Sequence, residues 1–314
     1  DDPERGAVAV VVALLMVPLL ALAAIAIDVA AIYADRQQLQ TGSDAAALAI
    51  AQTCATGPCD QASASQTATS FVQANKNDAS ASATAELTTS QATVRAVTTR
   101  EHFFAPVLGV EQTDIGAEST VGWGAPTGGT SVLPVAFSLC EWQEQLAANG
   151  GELSETTLQT IYFTKSSDTT CTGNSGNLVP GGFGWLTPDA GTCNATTGAG
   201  GILYSDPGES VPSGCTTADF ADAQYETVLL PLFDQYDGSG SSAIYRIYGY
   251  AAFKVTGYHF VGQYSWNAGG SCKGNARCLQ GYFVEYVDTS DAFEYGAAPD
   301  LGAVVAALVL PEGT

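Results

Sequence analysis

Positive charge is scarce in this sequence. Ten Lys and Arg residues stand against 32 Asp and Glu, giving a formal net charge of −22 over 314 residues. The few basic residues are scattered, so we expect no basic patch suited to a phosphate backbone. The composition therefore argues against nucleic-acid binding and indicates a soluble, acidic exterior.

Methionine and histidine are nearly absent, with one Met and two His, whereas Gly, Ser and Thr are abundant. The eight cysteines, an even number, suit an oxidising compartment. Their spacing does not resemble a zinc framework, and neither His102 nor His259 has a cysteine close by in sequence. We therefore expect disulfides, with no metal site or cofactor.

Charge is absent from Gly6 to Ile27, a run of 22 residues. As a helix this run would span about 33 Å, enough for a bilayer core. A cleavable secretory signal has a shorter apolar region followed by a cut site, whereas here the pattern continues through Asp28, so we expect the segment to be retained. Pro18 should kink or locally loosen the helix.

Small residues, mostly Ala, line much of the same run and would let helix backbones approach closely. The alternative is an ordinary Ala-rich anchor. Beyond Asp28, Ile25, Ile32 and Leu39 recur every seven positions, and strong helix formers follow. The simplest interpretation is one helix from about Glu4 to Gln52, ended by the Gly57-Pro58 pair.

The length exceeds that of one usual core, so two folded units behind the helix are expected. Predicted boundaries are a helix over 1–52, a small α+β region over 53–123, a linker over 124–131 and a disulfide-rich β domain over 132–314. The fold class is α+β. The small region should contain a helix over 60–77 with Asp60 as N-cap, and strands over 83–87, 92–99 and 115–123 that pack on the long helix.

Short aromatic strands and Gly-bounded turns dominate the remainder of the chain. The segment 245–261 is the clearest strand pair, with Gly249 or Gly257 marking a bend or bulge. The run from Leu301 to Leu310 is too short to cross a membrane and is interpreted as a buried last strand. Further strands are predicted over 159–164, 227–232, 243–263 and 281–287.

Catalytic candidates are weak. Gly173–Asn177 contains Ser175 in a Gly-rich turn, and His102 or His259 would have to act as its base, with an acid and an oxyanion hole besides. Gly, Asn and Ser are also what ordinary turns need, which is the favoured interpretation. A secreted hydrolase is accordingly only a distant alternative to a non-enzymatic protein.

Two binding candidates are equally weak. Asp234 and Asp237 cluster near turn glycines and offer oxygen ligands for calcium, but their spacing differs from an EF-hand and a hairpin turn explains them. Trp142, Trp185 and Trp266 suggest a glycan platform, although core packing accounts for aromatics in a β domain.

Disulfide pairing is predicted from nearest neighbours, because one turn often brings consecutive cysteines together in hairpin-rich domains. Four bridges allow 105 connectivities. The expected pairs are Cys54–Cys59, Cys140–Cys171, Cys193–Cys215 and Cys272–Cys278.

The N-terminal fifty residues carry a specific pattern. Glu4-Arg-Gly-Ala-Val-Ala-Val and an apolar span precede Ala26-Ile-Asp-Val-Ala-Ala-Ile-Tyr33, and Arg36-Gln-Gln-Leu-Gln-Thr-Gly-Ser-Asp-Ala-Ala-Ala-Leu-Ala49 follows. This order resembles the TadE/TadG-like proteins of the Tad (Flp) pilus system. Body segments such as Cys140-Glu-Trp142 and Gly181–Leu186 are similar to actinobacterial members.

The resemblance implies a pilin-like structural subunit of a surface filament. It also implies processing by a prepilin-type peptidase on the cytoplasmic side of the helix, although unordered residues before Asp1 would equally explain a start other than Met. Pilins usually carry the glutamate fifth in the mature chain, whereas Glu4 is fourth here. Either the true start lies one residue upstream or processing differs.

Assembly residues are expected in the helix, namely Glu4, Arg5, Pro18 and Asp28. Partners would be copies of the chain packed through this helix, the pilus assembly machinery, and the cytoplasmic membrane before assembly. We expect Glu4 to meet a neighbour's N-terminal amine or Arg5 and so set the axial register. In the alternative, Glu4 is solvated beside a lone anchor and the protein is a single-pass surface protein or minor assembly component.

Overall fold

The computed structural model describes residues 3–155, 157–164, 167, 170–174, 176–204, 208–238 and 244–309, and no side chains for residues 3–10, 203 and 204. The chain forms two compact units. The first contains the described residues up to Gly122 with Leu308 and Val309, and the second contains Trp123–Ala307. The predicted α+β class is confirmed, with one long helix and mostly strands after it.

The long helix α1 runs from Pro3 to Thr56 and continues through Pro18. Its exposure changes at Asp28. The described side chains before Asp28 are almost all exposed, whereas from Asp28 onward one face is buried. That buried face has the helical spacing expected when one side packs on a protein core, and it includes Asp28, Asp35, Leu39, Ser43, Ala46, Ala47, Ile50 and Ala51.

The second helix, α2 (Gln61–Asn75), begins as predicted at Asp60. The Asp60 side chain accepts hydrogen bonds from the N–H groups of Ala62 and Ser63, at 2.9 and 3.0 Å. These bonds satisfy donors that have no partner inside the helix. Ala64, Ala68 and Val72 form its buried face.

A small antiparallel sheet completes the first unit. β1 (Ser82–Leu87) pairs with β2 (Gln91–Glu101), and β2 pairs with the first half of β3 (Gln112–Ser131). Alternate residues of β2 are buried, which is the pattern of a strand with one face on a core. A short 3-10 turn over Ala105–Leu108 connects β2 to β3.

The predicted linker over 124–131 is wrong, because these residues are the second half of β3. Their backbone groups pair with β9 (Ala195–Gly198) and β16 (Phe293–Gly296), which supply the hydrogen bonds that a solvated linker would take from water. Glycine is needed at Gly129, where an added Cβ would collide with the carbonyl oxygen of Ala292.

The second unit contains two short helices, α3 (Leu139–Ala148) and α4 (Thr217–Asp222). Its remaining strands are β4 (Val135–Ser138), β5 (Gln159–Tyr162), β6 (Thr170–Thr172), β7 (Leu178–Pro180), β8 (Phe183–Trp185), β10 (Ile202–Tyr204), β11 (Thr227–Asp237), β12 (Ile244–His259), β13 (Ser265–Trp266), β14 (Cys278–Val284), β15 (Tyr286–Asp288) and β17 (Ala303–Val309). The main sheet is mixed, with the order β5-β14-β12-β11-β4-β8, and β10 and β13 also pair with β12. β6 pairs with β7, and β15 pairs in parallel with β17.

The segment predicted as a strand pair is one strand, β12. Its register against β14 shifts between Val255 and Gly257, so the expected irregularity at Gly257 is a bulge and not a hairpin turn. An added Cβ at Gly257 would lie 2.8 Å from the carbonyl oxygen of Asn267. Long partners on both sides, β11 and β14, keep the strand extended.

Aromatic side chains fill the core of the second unit. Phe137 contacts Phe253 and Phe283 edge to face, with ring centroids 4.8 and 5.7 Å apart. Trp185 and Phe183 extend the same cluster and are almost fully buried. The structure joins the cysteines as Cys54–Cys59, Cys140–Cys171, Cys193–Cys215 and Cys272–Cys278, the same pairs as the nearest-neighbour expectation.

Candidate membrane and assembly site

The exposed half of α1 is the most unusual surface among the described residues. From Val11 to Ile27, eleven large apolar side chains are 47–71% exposed. By length and composition this helix qualifies to cross a membrane, with a mean hydropathy of 2.6 and only 6% of its apolar window buried. A soluble core helix meeting the same criteria would be mostly buried, so this surface needs a partner of its own.

The four predicted assembly residues differ in exposure and in whether the structure describes their side chains. Glu4 and Arg5 belong to the first turns of α1, but their side chains lie outside the described residues. Pro18 is exposed within the helix. Asp28 is buried and bonded within its own chain.

Asp28 holds the turn between β2 and β3. Its carboxylate accepts hydrogen bonds from the backbone N–H groups of Phe103, Phe104 and Ala105, at 2.8, 3.0 and 2.8 Å. Hydrogen bonds to a charged acceptor are the stronger class. The first charge after the apolar run therefore fixes a loop of the folded unit against the helix.

Asp35, two turns further along the same face, forms a second buried attachment. Lys76 Nζ lies 3.0 Å from one carboxylate oxygen, and an Arg100 guanidinium nitrogen lies 3.1 Å from the other. The Asp35 and Lys76 side chains are only 5% and 3% exposed. Paired cations on both oxygens compensate the loss of water around this carboxylate.

Electrostatics keep this cluster charged. Burial lowers the pKa of Lys76, but hydrogen bonds and charge interactions with Asp35 and Asp78 outweigh it and leave the pKa above its ordinary value. Hydrogen bonds from Ser80, followed by the bond from Lys76, lower the pKa of Asp78 to about 2. At neutral pH Lys76 and Asp78 are therefore both ionised.

A third attachment lies closer to the C-terminal end of the helix, at Gln40. Gln40 Nε2 donates to the carbonyl oxygen of Glu118 on β3, at 3.3 Å, and to Asp44 at 2.8 Å. Close by, an added Cβ on Gly42 would lie 2.9 Å from the Val72 Cα, so α1 and α2 approach closely at this glycine. The second half of α1 is thus held at several levels by the helix and sheet of its own unit.

Sequence reasoning missed the cluster of Asp35, Lys76 and Arg100. One signal was present, because Asp28 and Asp35 are seven residues apart and share the face of Leu39. Acids on an otherwise apolar helix face indicate buried partners. The identity of those partners depends on which strands reach the helix.

The two histidines of the hydrolase candidate bond to groups other than the candidate serine. Ser175 lies outside the described residues. His102 belongs to the first unit and is 2.8 Å from the Thr113 hydroxyl. His259 belongs to the second unit, where its ring nitrogens lie 2.9 Å from the Ser265 hydroxyl and from the Gly274 carbonyl oxygen.

The calcium and glycan candidates also have structural explanations. Asp234 is buried in β11, whereas Asp237 at the end of that strand accepts a hydrogen bond from the N–H of Gly238. Within the described ranges no three His, Cys, Asp or Glu side chains are grouped to hold a metal ion. The tryptophans agree with core packing, the favoured interpretation, since Trp185 is buried and Trp142 and Trp266 pack partly buried against the core.

Comparison with known proteins finds a match in the α1 segment. The model of a family described as "Putative Flp pilus-assembly TadE/G-like" matches residues 6–53, which confirms the resemblance over the segment that carries it. No curated protein and no solved structure matches the chain. The matched segment and the exposed apolar helix fit a pilus-related, membrane-anchored protein. The N-terminal segment of the chain, residues 6–53, is thus similar to the Flp pilus-assembly TadE/G-like family.

Proposed function

We propose that this protein is a structural subunit of a bacterial extracellular pilus-like filament, assembled through its N-terminal helix. Before assembly the helix spans the cytoplasmic membrane, and after assembly it packs with copies of itself in the filament core. The observation that carries the proposal is the exposed apolar surface from Val11 to Ile27, on a segment that the family model matches.

Energetics support a permanent partner for this surface. Completing the burial of eleven side chains that are about half exposed is worth roughly 1 kcal/mol each, so on the order of 10 kcal/mol in total. This free energy is comparable to the stability of a typical domain, so it strongly favours transfer of the surface from water into lipid or against other helices. Lipid satisfies it before assembly, and neighbouring helices satisfy it in a filament.

The attachments on the second half of α1 support a role in assembly as well. Asp28, Asp35 and Gln40 bind the turn, the strands and α2 of the first unit at successive levels of the helix. The helix therefore cannot rotate freely about its own axis relative to that unit. Such coupling lets helix packing in a filament core set the orientation of the first unit.

We further propose that Glu4 sets the axial register by pairing with the N-terminal amine or Arg5 of a neighbouring subunit. A carboxylate buried among apolar helices is stable only when paired. The neighbouring cation supplies that pair, so each subunit would stop at one position along the filament. The pilus assembly machinery and a prepilin-type peptidase are the further partners implied.

Substitution of Glu4 by Gln tests the register, since it keeps the shape of the side chain and removes its charge. We expect E4Q to insert into the membrane at the normal level and to yield far fewer filaments in the sheared supernatant, imaged by electron microscopy. The matched control is D2N, which removes one acid from the same terminus. Equal filament yields from E4Q, D2N and the parent chain at equal expression would contradict the role of Glu4.

The same experiment separates a filament subunit from a single-pass anchored protein or a minor assembly component. A subunit is recovered in sheared fibres and labelled along their length by an antibody to the second unit. A protein confined to the membrane fraction in the parent strain would contradict the filament role and leave the anchor.

A further inference from the structure

The turn between β2 and β3 exposes a second apolar surface. Its five large side chains, which we call the apolar turn, are 45–89% exposed: Phe103, Phe104, Val107, Leu108 and Val110. Exposed single apolar residues are common, but a cluster of this kind in one short turn indicates an interaction surface. Nothing in the first unit covers it among the described residues.

Backbone hydrogen bonds define the conformation of the apolar turn. The N–H of Val107 bonds to the Phe104 carbonyl at 3.2 Å, and the N–H of Val110 bonds to the Ala105 carbonyl at 3.2 Å. Gly109 ends the 3-10 turn with a φ of 87°, a conformation that favours glycine. The apolar side chains are therefore presented in a fixed arrangement.

Asp28 places this turn beside the end of the apolar run. The carboxylate binds the N–H groups of residues 103–105, and Asp28 is the first charged residue after Ile27. A charged residue is costly inside hydrocarbon, so a membrane-spanning α1 must leave the bilayer at about Asp28. The apolar turn then lies at the bilayer surface.

Two residues near the turn agree with its position at the bilayer surface. Tyr33 is exposed on α1 about 7.5 Å further along the helix, and tyrosine is enriched where lipid meets water. Arg100 bonds to Asp35 and lies over the Phe103 ring, 5.5 Å from its centroid. The ion pairs of Asp35 thus lie beyond the turn, on the side away from the apolar run.

We infer that the apolar turn inserts into the interfacial layer of the same bilayer that holds α1, forming a second, shallow membrane contact of the first unit. The occupant is the glycerol and upper acyl region of the lipid, about 5–10 Å deep, as for other interfacial apolar segments. The inference rests on the membrane-inserted state of the proposed function.

Charge decides which lipid is required. Glu101 and Glu111 flank the turn and are exposed, so anionic headgroups would not attract it. Insertion by apolar side chains alone needs no anionic lipid and is insensitive to salt. We therefore expect the contact in vesicles of neutral phosphatidylcholine.

Tryptophan scanning of the full chain in such vesicles tests the inference. V107W places an indole in the apolar turn, V17W places one in the spanning helix, and V97W is the matched control on β2. β2 runs along α1 toward the turn that Asp28 holds, so residue 97, three positions before Arg100, lies further from that turn. Its neighbours Arg100 and Arg95 mark the levels of Asp35 and Gln40 on the helix. Lipids brominated near the glycerol or deep in the acyl chains quench an indole according to its depth.

The signal of interest is the fluorescence that each variant adds to that of the parent chain. Loss of this added signal for V107W with shallow bromine, loss for V17W with deep bromine and none for V97W would support the inference. High salt should leave the V107W result unchanged. Loss for V17W but not for V107W would overturn the inference and leave the membrane anchor intact, whereas no loss for V17W would refute the anchor itself.

A second copy of the chain is the competing occupant. In that case the V107W emission would shift to the blue as the protein-to-lipid ratio rises, without quenching by either lipid, and this result would also overturn the membrane contact. The double variant V107S/L108S provides the folding control, because both side chains are exposed and their loss should not affect folding. When V17W is added to this variant, the indole at residue 17 should still be quenched by lipids brominated deep in the acyl chains.

Discussion

The pH dependence of stability in the second unit can be derived from one buried acid. Glu141 lies near the start of α3, and its side chain accepts a hydrogen bond from the N–H of Gly182. Burial raises the pKa of Glu141 from 4.5 to about 7; the Gly182 bond opposes this change and the charge of Glu144 adds to it.

The sign follows from the direction of the shift. Because the folded-state pKa of Glu141 lies above the unfolded value, its contribution favours folding fully below pH 4.5 and is lost as the pH rises through about 7. The difference between about 7 and 4.5 corresponds to about 3 kcal/mol, at about 1.4 kcal/mol per pKa unit. Glutamine keeps the acceptor oxygen and cannot ionise. E141Q should therefore match the parent chain near pH 4 and exceed its free energy of unfolding by up to about 3 kcal/mol at pH 8.

Tryptophan fluorescence during denaturant unfolding of the full chain measures this effect, because the four tryptophans all lie in residues 123–307, the range of the second unit. The matched control is E152Q, which removes an exposed acid from the same unit and should change stability little at either pH. A loss of stability in E141Q that is equal at both pH values would refute the reasoning.

Three further predictions concern the first unit. D28N leaves the turn short of acceptors and should weaken it by about 2 kcal/mol, seen as faster hydrogen exchange of amides 103–105; unchanged exchange would exclude the role of Asp28. K76M breaks a buried ion pair with Asp35 and should lower the free energy of unfolding by about 3 kcal/mol, and a stabilised variant would contradict this. G42A should destabilise the α1–α2 contact by about 1 kcal/mol net, since overpacking outweighs the gain in helix propensity; a rise in thermal midpoint would count against it.

The local features of the first unit could be predicted from residue patterns. An uninterrupted apolar run with good helix formers after it predicted α1, and Asp60 before an Ala-rich segment predicted the start of α2. These features depend on neighbours within a few positions along the chain, such as helix propensity and capping. The disulfide pairs of the structure also join cysteines that are consecutive in sequence.

The errors arose where a distant segment decides the local structure. Residues 124–131 are rich in Gly and Thr and predicted a linker, yet β9 and β16 supply backbone partners from far along the chain and make the segment a strand. The segment 245–261 predicted a strand pair with a bend or bulge at Gly249 or Gly257, yet β11 and β14 hold residues 244–259 as one strand, whose bulge lies at Gly257. Strand identity depends on pairing more than on intrinsic preference.

The candidate site divides in the same way. The amino-acid order alone determined that this chain has an apolar helical run of bilayer length followed by an acid, because hydropathy and helix propensity are properties of contiguous residues. Only the tertiary structure decided that Asp28 binds the turn at 103–105 and that Asp35 is buried between Lys76 and Arg100. Those partners are 41 to 77 residues away, and hydrogen-bond geometry between distant segments exists only after the sheet and helices have packed.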